Sequence, residues 1–132
     1  MKLIDKIALI HLQNGRVLSS LSEGKDTWYL PGGKREGDET DLQTLLREIR
    51  EELNVALNPA DVRYYGTFEA QAHGKAEGVL VRMTCYTAPL PTPPVPSAEI
   101  AQLRWLTTAD MGIISAVDKL IFADLHEKGL LD

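Results

Sequence analysis

Gly32-Gly33-Lys34-Arg35-Glu36-Gly37-Asp38-Glu39-Thr40-Asp41-Leu42-Gln43-Thr44-Leu45-Leu46-Arg47-Glu48-Ile49-Arg50-Glu51-Glu52-Leu53-Asn54-Val55 reads as a glycine turn, a polar loop and a helix. Leu42, Leu45, Leu46, Ile49 and Leu53 repeat at i, i+3, i+4, i+7 and i+11, the spacing of one buried helical stripe, so a helix is predicted from Thr40 to Leu53. Thr40 or Asp41 can cap its start, and Asn54 can adopt the left-handed conformation that stops it. On a wheel of about 100° per residue with Leu42 at zero, Glu48, Glu51 and Glu52 fall near about 240°, 180° and 280°, which predicts a cluster turned away from the apolar stripe. Glu48 stands three and four residues before Glu51 and Glu52, where like charges repel. All three also sit at the helix end that disfavours negative charge. Selection for stability alone would place lysine there. Clustered carboxylates held against local electrostatics imply a cation, and an all-oxygen donor set points to Mg²⁺, with Mn²⁺ as substitute, rather than zinc. The Gly32-Gly33 turn lets backbone approach a ligand closely.

Upstream of this segment, Ile7 to His11 reads as a strand, Asn14-Gly15 as a hairpin turn and Arg16 to Leu21 as the second strand. After a polar loop, Thr27-Trp28-Tyr29-Leu30 reads as a short strand that Pro31-Gly32-Gly33 stops. Downstream, strands are expected over Arg63 to Ala70 and Val79 to Thr87, joined by the polar loop Gln71 to Gly78. Ala88 to Pro96 holds five of the seven prolines and reads as an extended connector, since proline cannot donate into a sheet ladder. Gln102 to Leu106 reads as a last strand, and Ser115 to Lys128 as a C-terminal helix with Val117, Leu120, Ile121 and Leu125 facing inward and Gly129 as its stop. No internal repeat is visible. Strands and helices mix without regular alternation, which fits a mixed sheet with helices packed on it.

From Gly33 there are five residues to Glu39, seven more to Arg47, and then Glu48-Ile49-Arg50-Glu51-Glu52-Leu53-Asn54-Val55. This pattern closely resembles the Nudix box, G-x5-E-x7-R-E-U-x-E-E-x-G-U, with U a bulky apolar residue. Every charged position is filled, and Asn54 stands where the family usually has glycine. The resemblance covers the box and the preceding Trp28 to Gly32, and more loosely Leu103 to Leu106. It implies a single Nudix domain over residues 1–132, folded as an α/β/α sandwich with a mixed β-sheet. It also implies a pyrophosphohydrolase that cuts a diphosphate linkage. Carried onto this chain, it makes Glu48, Glu51 and Glu52 the Mg²⁺ ligands, with the Gly32 carbonyl as a further one, and gives Glu51 and Glu52 catalytic roles as well. Arg47 becomes the partner that orients the box glutamates, pairing with Glu39, which ties loop to helix. A further carboxylate, as ligand or general base, would come from Glu99, with Glu69 and Glu77 as rivals. His73 reads as a solvated loop histidine rather than a base.

For the rest of the substrate, Lys25 and Lys34 are the cations placed to meet phosphate oxygens, and Trp28 or Tyr29 could stack on a base or pack in the core. Ser19, Ser20 and Ser22 stand where many relatives carry paired arginines, a departure from the MutT-like branch. The markers of ADP-ribose, dinucleoside polyphosphate and NADH hydrolases are missing near and after Gln71. Elimination leaves a nucleoside triphosphate or related nucleoside diphosphate derivative as substrate. The alternatives are a nucleotide sugar or other diphosphate that is not a nucleoside triphosphate, and a non-catalytic nucleotide sensor, against which the intact box argues.

The 132 residues suffice for one domain with a real core, and 44% hydrophobic with 25% charged residues is ordinary for a soluble protein. A net charge of −5 argues against a nucleic-acid partner bound by backbone neutralisation. Polyphosphate binding stays open if divalent cations bridge the two sets of negative charge. The one cysteine, Cys85, lies in an apolar run and reads as a buried, reduced thiol. No apolar run reaches the ~18–20 residues that span a bilayer. The N-terminus lacks the pattern of a signal peptide, so the expected location is cytoplasmic. A homodimer is the assembly common among Nudix relatives.

Overall fold

The computed structural model describes residues 2–72 and 74–132. Its elements are β1 (Lys2–Ile10), β2 (Leu12–Gln13), β3 (Arg16–Ser22), β4 (Gly32–Lys34), α1 (Asp41–Leu53), β5 (Arg63–Gln71), β6 (Val79–Thr87), β7 (Ile100–Leu106) and α2 (Ala116–Glu127), with 3-10 turns at Pro59–Asp61 and Thr108–Ile113. The apolar run in β1 organises them. Alternate residues of a strand face opposite sides of the sheet. Ile7 and Leu9 pack with Leu45, Ile49 and Leu53 of α1, while Ala8 and Ile10 pack with Val117, Ile121, Phe122 and Leu125 of α2. A helix therefore covers each face of β1, and the expected α/β/α layering is present.

The sheet carrying β1 has strand order β4-β1-β6-β5 and is mixed: β1 runs parallel to β6, and the other pairs are antiparallel. A second, antiparallel sheet has the order β2-β3-β7. Asn14 and Gly15 both have positive φ (54° and 76°), as a tight hairpin between β2 and β3 requires. Cys85 is fully buried between the layers, and desolvation pushes its thiol well above the ordinary range.

Both limits of α1 follow from side-chain chemistry. Thr40 Oγ1 accepts from the Gln43 amide at 3.1 Å and Gln43 Oε1 accepts from the Thr40 amide at 2.9 Å, a reciprocal cap. Asn54 closes the helix at φ 55°, ψ 39°, its N–H donating to Arg50 O. Asparagine thus performs the turn for which the box pattern has glycine. Beyond it, the proline connector satisfies carbonyls at the helix end that have no helical partner: Val95 N–H donates to Leu53 O at 2.8 Å and Ser97 N–H to Glu52 O at 2.9 Å.

Four expectations need correction. Thr27 to Leu30 is not a strand, because its backbone bonds are divided. Tyr29 bridges to Ser20 of β3 and Trp28 to Ile114, so no ladder propagates. Gly32-Gly33 does not end a strand but begins one, since β4 pairs antiparallel with β1 from Gly32↔Ala8 to Lys34↔Lys6. Leu42 and Leu120 do not join the buried stripes. They are 37% and 47% exposed, at the rims of their helices, and Phe122 is the large buried side chain of α2.

Candidate active site

β4 and the inner flank of α1 meet at Gly32, Gly33, Glu48 and Glu52. Gly32 has φ 146°, and a Cβ there would strike the backbone of Ile7 on β1. A Cβ on Gly33 would fall on the Glu48 carboxylate. Gly32 is required by its close approach to the β1 backbone, whereas a side chain at Gly33 would displace the Glu48 carboxylate from its place.

Glu52 is 5% exposed. Its wheel position, about 20° from Leu45, places it beside the apolar stripe rather than away from it. The expectation of three glutamates turned away from the core is corrected accordingly. Glu52 Oε1 accepts from the Gly32 amide at 3.1 Å. Desolvation pushes its carboxyl up to about 8; the Gly32 N–H opposes this, while the charges of Glu48 and Glu99 and a hydrogen bond shared with Glu48 add to it. Burial raises Glu48 as well, held back by its hydrogen bond from Arg47. Two carboxyls sharing a hydrogen bond need a proton or a cation between them.

The outer flank differs. Arg47 Nε and Nη2 donate to both oxygens of Glu39 at 2.8 and 3.0 Å, Nη1 to Glu48 at 2.8 Å and Glu51 at 3.1 Å, and Nη2 also to Lys34 O at 3.0 Å. Glu39 further accepts from the Glu36 amide and the Thr44 hydroxyl. The Arg47 hydrogen bonds, then the Glu36 N–H, pull Glu39 down to about 2. Arg47 is correspondingly held protonated, first by Glu39. Glu51 therefore faces its arginine and not Glu52. Among the described residues no three His, Cys, Asp or Glu side chains are already gathered as a metal cage.

A cavity of about 860 Å³ opens over the inner flank. Gly32, Glu48, Glu52, Glu99, Lys25, Lys34 and Tyr29 all line it, whereas Glu51 and Arg47 do not. Ser20 and Ser22 line it too, at the positions expected from the resemblance to carry arginines. Glu99 is set there by its backbone: its carbonyl accepts from Glu23 N–H at 2.8 Å, and the preceding Ala98 has φ 54°. Trp28 is buried in the core with Arg104 over its ring, leaving Tyr29 as the aromatic of the cavity. Glu69 is paired with Arg82 on the sheet at 2.8 Å, and Glu77 is not in the lining. His73 lies outside the described residues. Lys6 and Lys75 were not singled out from sequence but line the cavity. For Lys6 a signal existed, since a lysine interrupts the inward-facing series Ile4, Ala8, Ile10.

A model of the NUDIX domain matches residues 6–125, and the chain belongs to the Nudix family. It is 32% identical over 79 residues to the CTP pyrophosphohydrolase of Escherichia coli (strain K12), the match covering 57% of each protein. It is 49% identical over 53 residues to the RNA pyrophosphohydrolase of Halorhodospira halophila (strain DSM 244 / SL1), covering 40% of this chain and 28% of that protein. The chain thus spans well under two thirds of the curated relatives it matches. The crystal structure of the MutT protein from Methanosarcina mazei Go1 superposes with TM-score 0.76 at 18% identity, over 97% of this chain and 96% of that one, which shows a common fold. No helix among the described residues is long and apolar enough to cross a membrane.

Proposed function

We propose that the chain is a Mg²⁺-dependent pyrophosphohydrolase that cuts a diphosphate linkage in a nucleoside triphosphate or related nucleoside diphosphate derivative and releases a monophosphate product. The observation that carries this is the pair of half-buried Glu48 and buried Glu52, crowded in one wall of a cavity whose rim carries Lys25 and Lys34. The residues fit a hard divalent cation. Their donors are all oxygen, burial and repulsion from neighbouring carboxylates raise both carboxyls, and Gly33 leaves no side chain between backbone and carboxylate. Glu48, Glu52 and the Gly32 carbonyl would hold the cation, joined by Glu51 on leaving Arg47. Held there, such a cation would supply neutralisation of phosphate oxygens and acidification of a water.

The chain's own groups do the rest. Lys25 and Lys34 meet the remaining phosphate charge, and Tyr29 lies against the organic part of the substrate. Glu99 accepts the proton of the attacking water, with Glu52 as the second carboxyl within the site. Arg47 is a positioning residue: it ties Lys34 O, Glu39 and Glu48 together and so fixes β4 against α1. The name of the Escherichia coli relative supports a nucleoside triphosphate. The name of the Halorhodospira relative raises a 5′-triphosphorylated RNA end, which the charge of −5 disfavours.

The test is a panel of nucleoside triphosphates, a nucleotide sugar, a dinucleotide and a 5′-triphosphorylated oligonucleotide, each with and without Mg²⁺. Release of pyrophosphate and nucleoside monophosphate from a triphosphate, dependent on Mg²⁺ and lost in Glu52→Gln, is expected. Release from none of them, or an unchanged rate in Glu52→Gln, overturns the reading.

A further inference from the structure

Position 6 breaks two local rules at once. Ile4, Ala8 and Ile10 of β1 all pack against the cluster beneath α2, and the residue between them on the same face is Lys6, half-buried. Burying an ammonium at a core-facing strand position is costly. Lys6 is also directly opposite Lys34 in the antiparallel β1–β4 pair, where like charges destabilise. No carboxylate forms an ion pair with Lys6 among the described residues. Its ammonium lies 5.0 Å from the centre of the Tyr29 ring, and its largest opposing charge is the buried Asp118. A ring contact and distant carboxylates compensate Lys6 only in part, and local rules broken at a cavity wall mark a candidate functional position.

A second cavity, of about 190 Å³, adjoins the first, and Lys6, Tyr29, Lys34, Lys75 and Met83 line both. Ile4, Val81 and Val117 make its aliphatic wall, and among the described residues no carboxylate lines it. Lys34 and Lys75 are exposed at the rim, whereas Lys6 is at the junction. The other polar groups are engaged. Gln71 Nε2 donates to Ala76 O at 2.8 Å, its Oε1 accepts from Gly78 N–H, and Ser115 Oγ accepts from Asp118 N–H. An aliphatic wall cannot replace the hydration of a phosphate, so the side cavity suits a flat, largely apolar ring with acceptors on one edge.

We propose that Lys6 is a specificity-determining residue, donating from the cavity junction to the keto oxygen of a nucleobase seated between Tyr29 and the aliphatic wall. Lysine has three donors and no acceptor. Guanine, cytosine and uracil offer a keto oxygen, whereas adenine presents an amino donor where guanine presents O6. The chain therefore prefers keto-bearing bases to adenine. This rests on the reading of the site as a nucleotide pyrophosphohydrolase.

The experiment compares wild type with Lys6→Met, Lys6→Gln and Lys6→Arg. It reads kcat/KM for ATP, CTP, GTP and UTP, and affinity for the four nucleoside monophosphates and for inorganic pyrophosphate by calorimetry. Wild type should favour the best keto nucleotide over the adenine one by about tenfold or more, the scale of one hydrogen bond to a charged group. Lys6→Met should compress that ratio to within about twofold, mostly through KM, with pyrophosphate affinity unmoved. Lys6→Arg should keep the preference and Lys6→Gln part of it. A ratio unchanged in Lys6→Met overturns the proposal, and with a lowered melting temperature it assigns Lys6 to Asp118 alone. Equal losses for all nucleotides and for pyrophosphate also overturn it, making Lys6 a phosphate ligand. If Lys6→Met does not fold, Lys6→Gln and Lys6→Arg decide by the same ratio. If wild type cleaves no triphosphate, the functional reading fails, and the monophosphate affinities still decide the role of Lys6.

Discussion

The two flanks of α1 put the same side chain to opposite uses. On the outer flank, Arg47 supplies more donors than Glu39 needs, and that carboxyl is held down to about 2. On the inner flank, Glu48 and Glu52 crowd one another behind Gly32 and Gly33, and Glu52 is pushed up to about 8. The outer carboxylates are complete within the chain and hold shape. Of the inner pair, Glu48 shares Arg47 with the outer flank and Glu52 meets the Gly32 N–H, and the cation proposed above would complete both. Perturbation in opposite directions, down at Glu39 in the loop and up at Glu48 and Glu52 on the helix, separates scaffold from site better than a count of glutamates does.

Glu52→Gln should break the comparison most strongly. Loss of an inner carboxylate is expected to lower kcat by about 10²-fold or more. In chelator, the same variant should be the more stable protein at neutral pH. Glu52 titrates near 8 when folded against an ordinary 4.5, so its contribution to stability is full below 4.5 and declines as pH rises toward 8. Thermal unfolding from pH 4 to 9 should show that decline in wild type and its reduction in Glu52→Gln. Next in size, Arg47→Ala should cost about 2 kcal/mol by denaturant unfolding, as half-buried hydrogen bonds to charge are lost. Glu39→Gln works in the opposite pH window. Its folded value of about 2 lies below 4.5, so its contribution is full above 4.5 and lost as pH falls toward 2. An acid-side slope undiminished in Glu39→Gln would sink the clamp.

Glu51 lies between the two flanks. It is paired with Arg47 at 3.1 Å, and its side chain is 45% exposed. Glu51→Gln should move stability by less than about 1 kcal/mol, as for exposed pairs, yet weaken Mn²⁺ binding measurably. Equal Mn²⁺ affinity would leave Glu51 wholly on the scaffold side. The smallest effect belongs to Ala98, whose φ of 54° is unfavourable for a side chain. Ala98→Gly should change stability by about 0.5 kcal/mol or less, the relief of strain being offset by a more flexible unfolded chain.

Much of this was legible in the sequence, where the signal was local. Thr40 and Asn54 bound α1 through their own side chains and turns, Val79 and Thr87 bound β6, and the box spacing identified the family. The failures lie where distant segments decide. Gly32-Gly33 reads as a breaker until β1 is laid beside it. Trp28 and Tyr29 divide their bonds between partners far apart in sequence. Glu52 reads as a surface charge unless its closeness to Leu45 on the wheel is weighed. Lys6 interrupts an apolar series in the sequence, and the register that brings it to Lys34 and Met83 places it at the cavity.

The most direct test of the central claim is Mn²⁺ binding at neutral pH, followed by electron paramagnetic resonance in wild type, Glu48→Gln, Glu52→Gln and Glu39→Gln. The account predicts that either inner substitution weakens Mn²⁺ binding by tenfold or more while Glu39→Gln changes it severalfold at most. Equal affinity in wild type and both inner variants would contradict it.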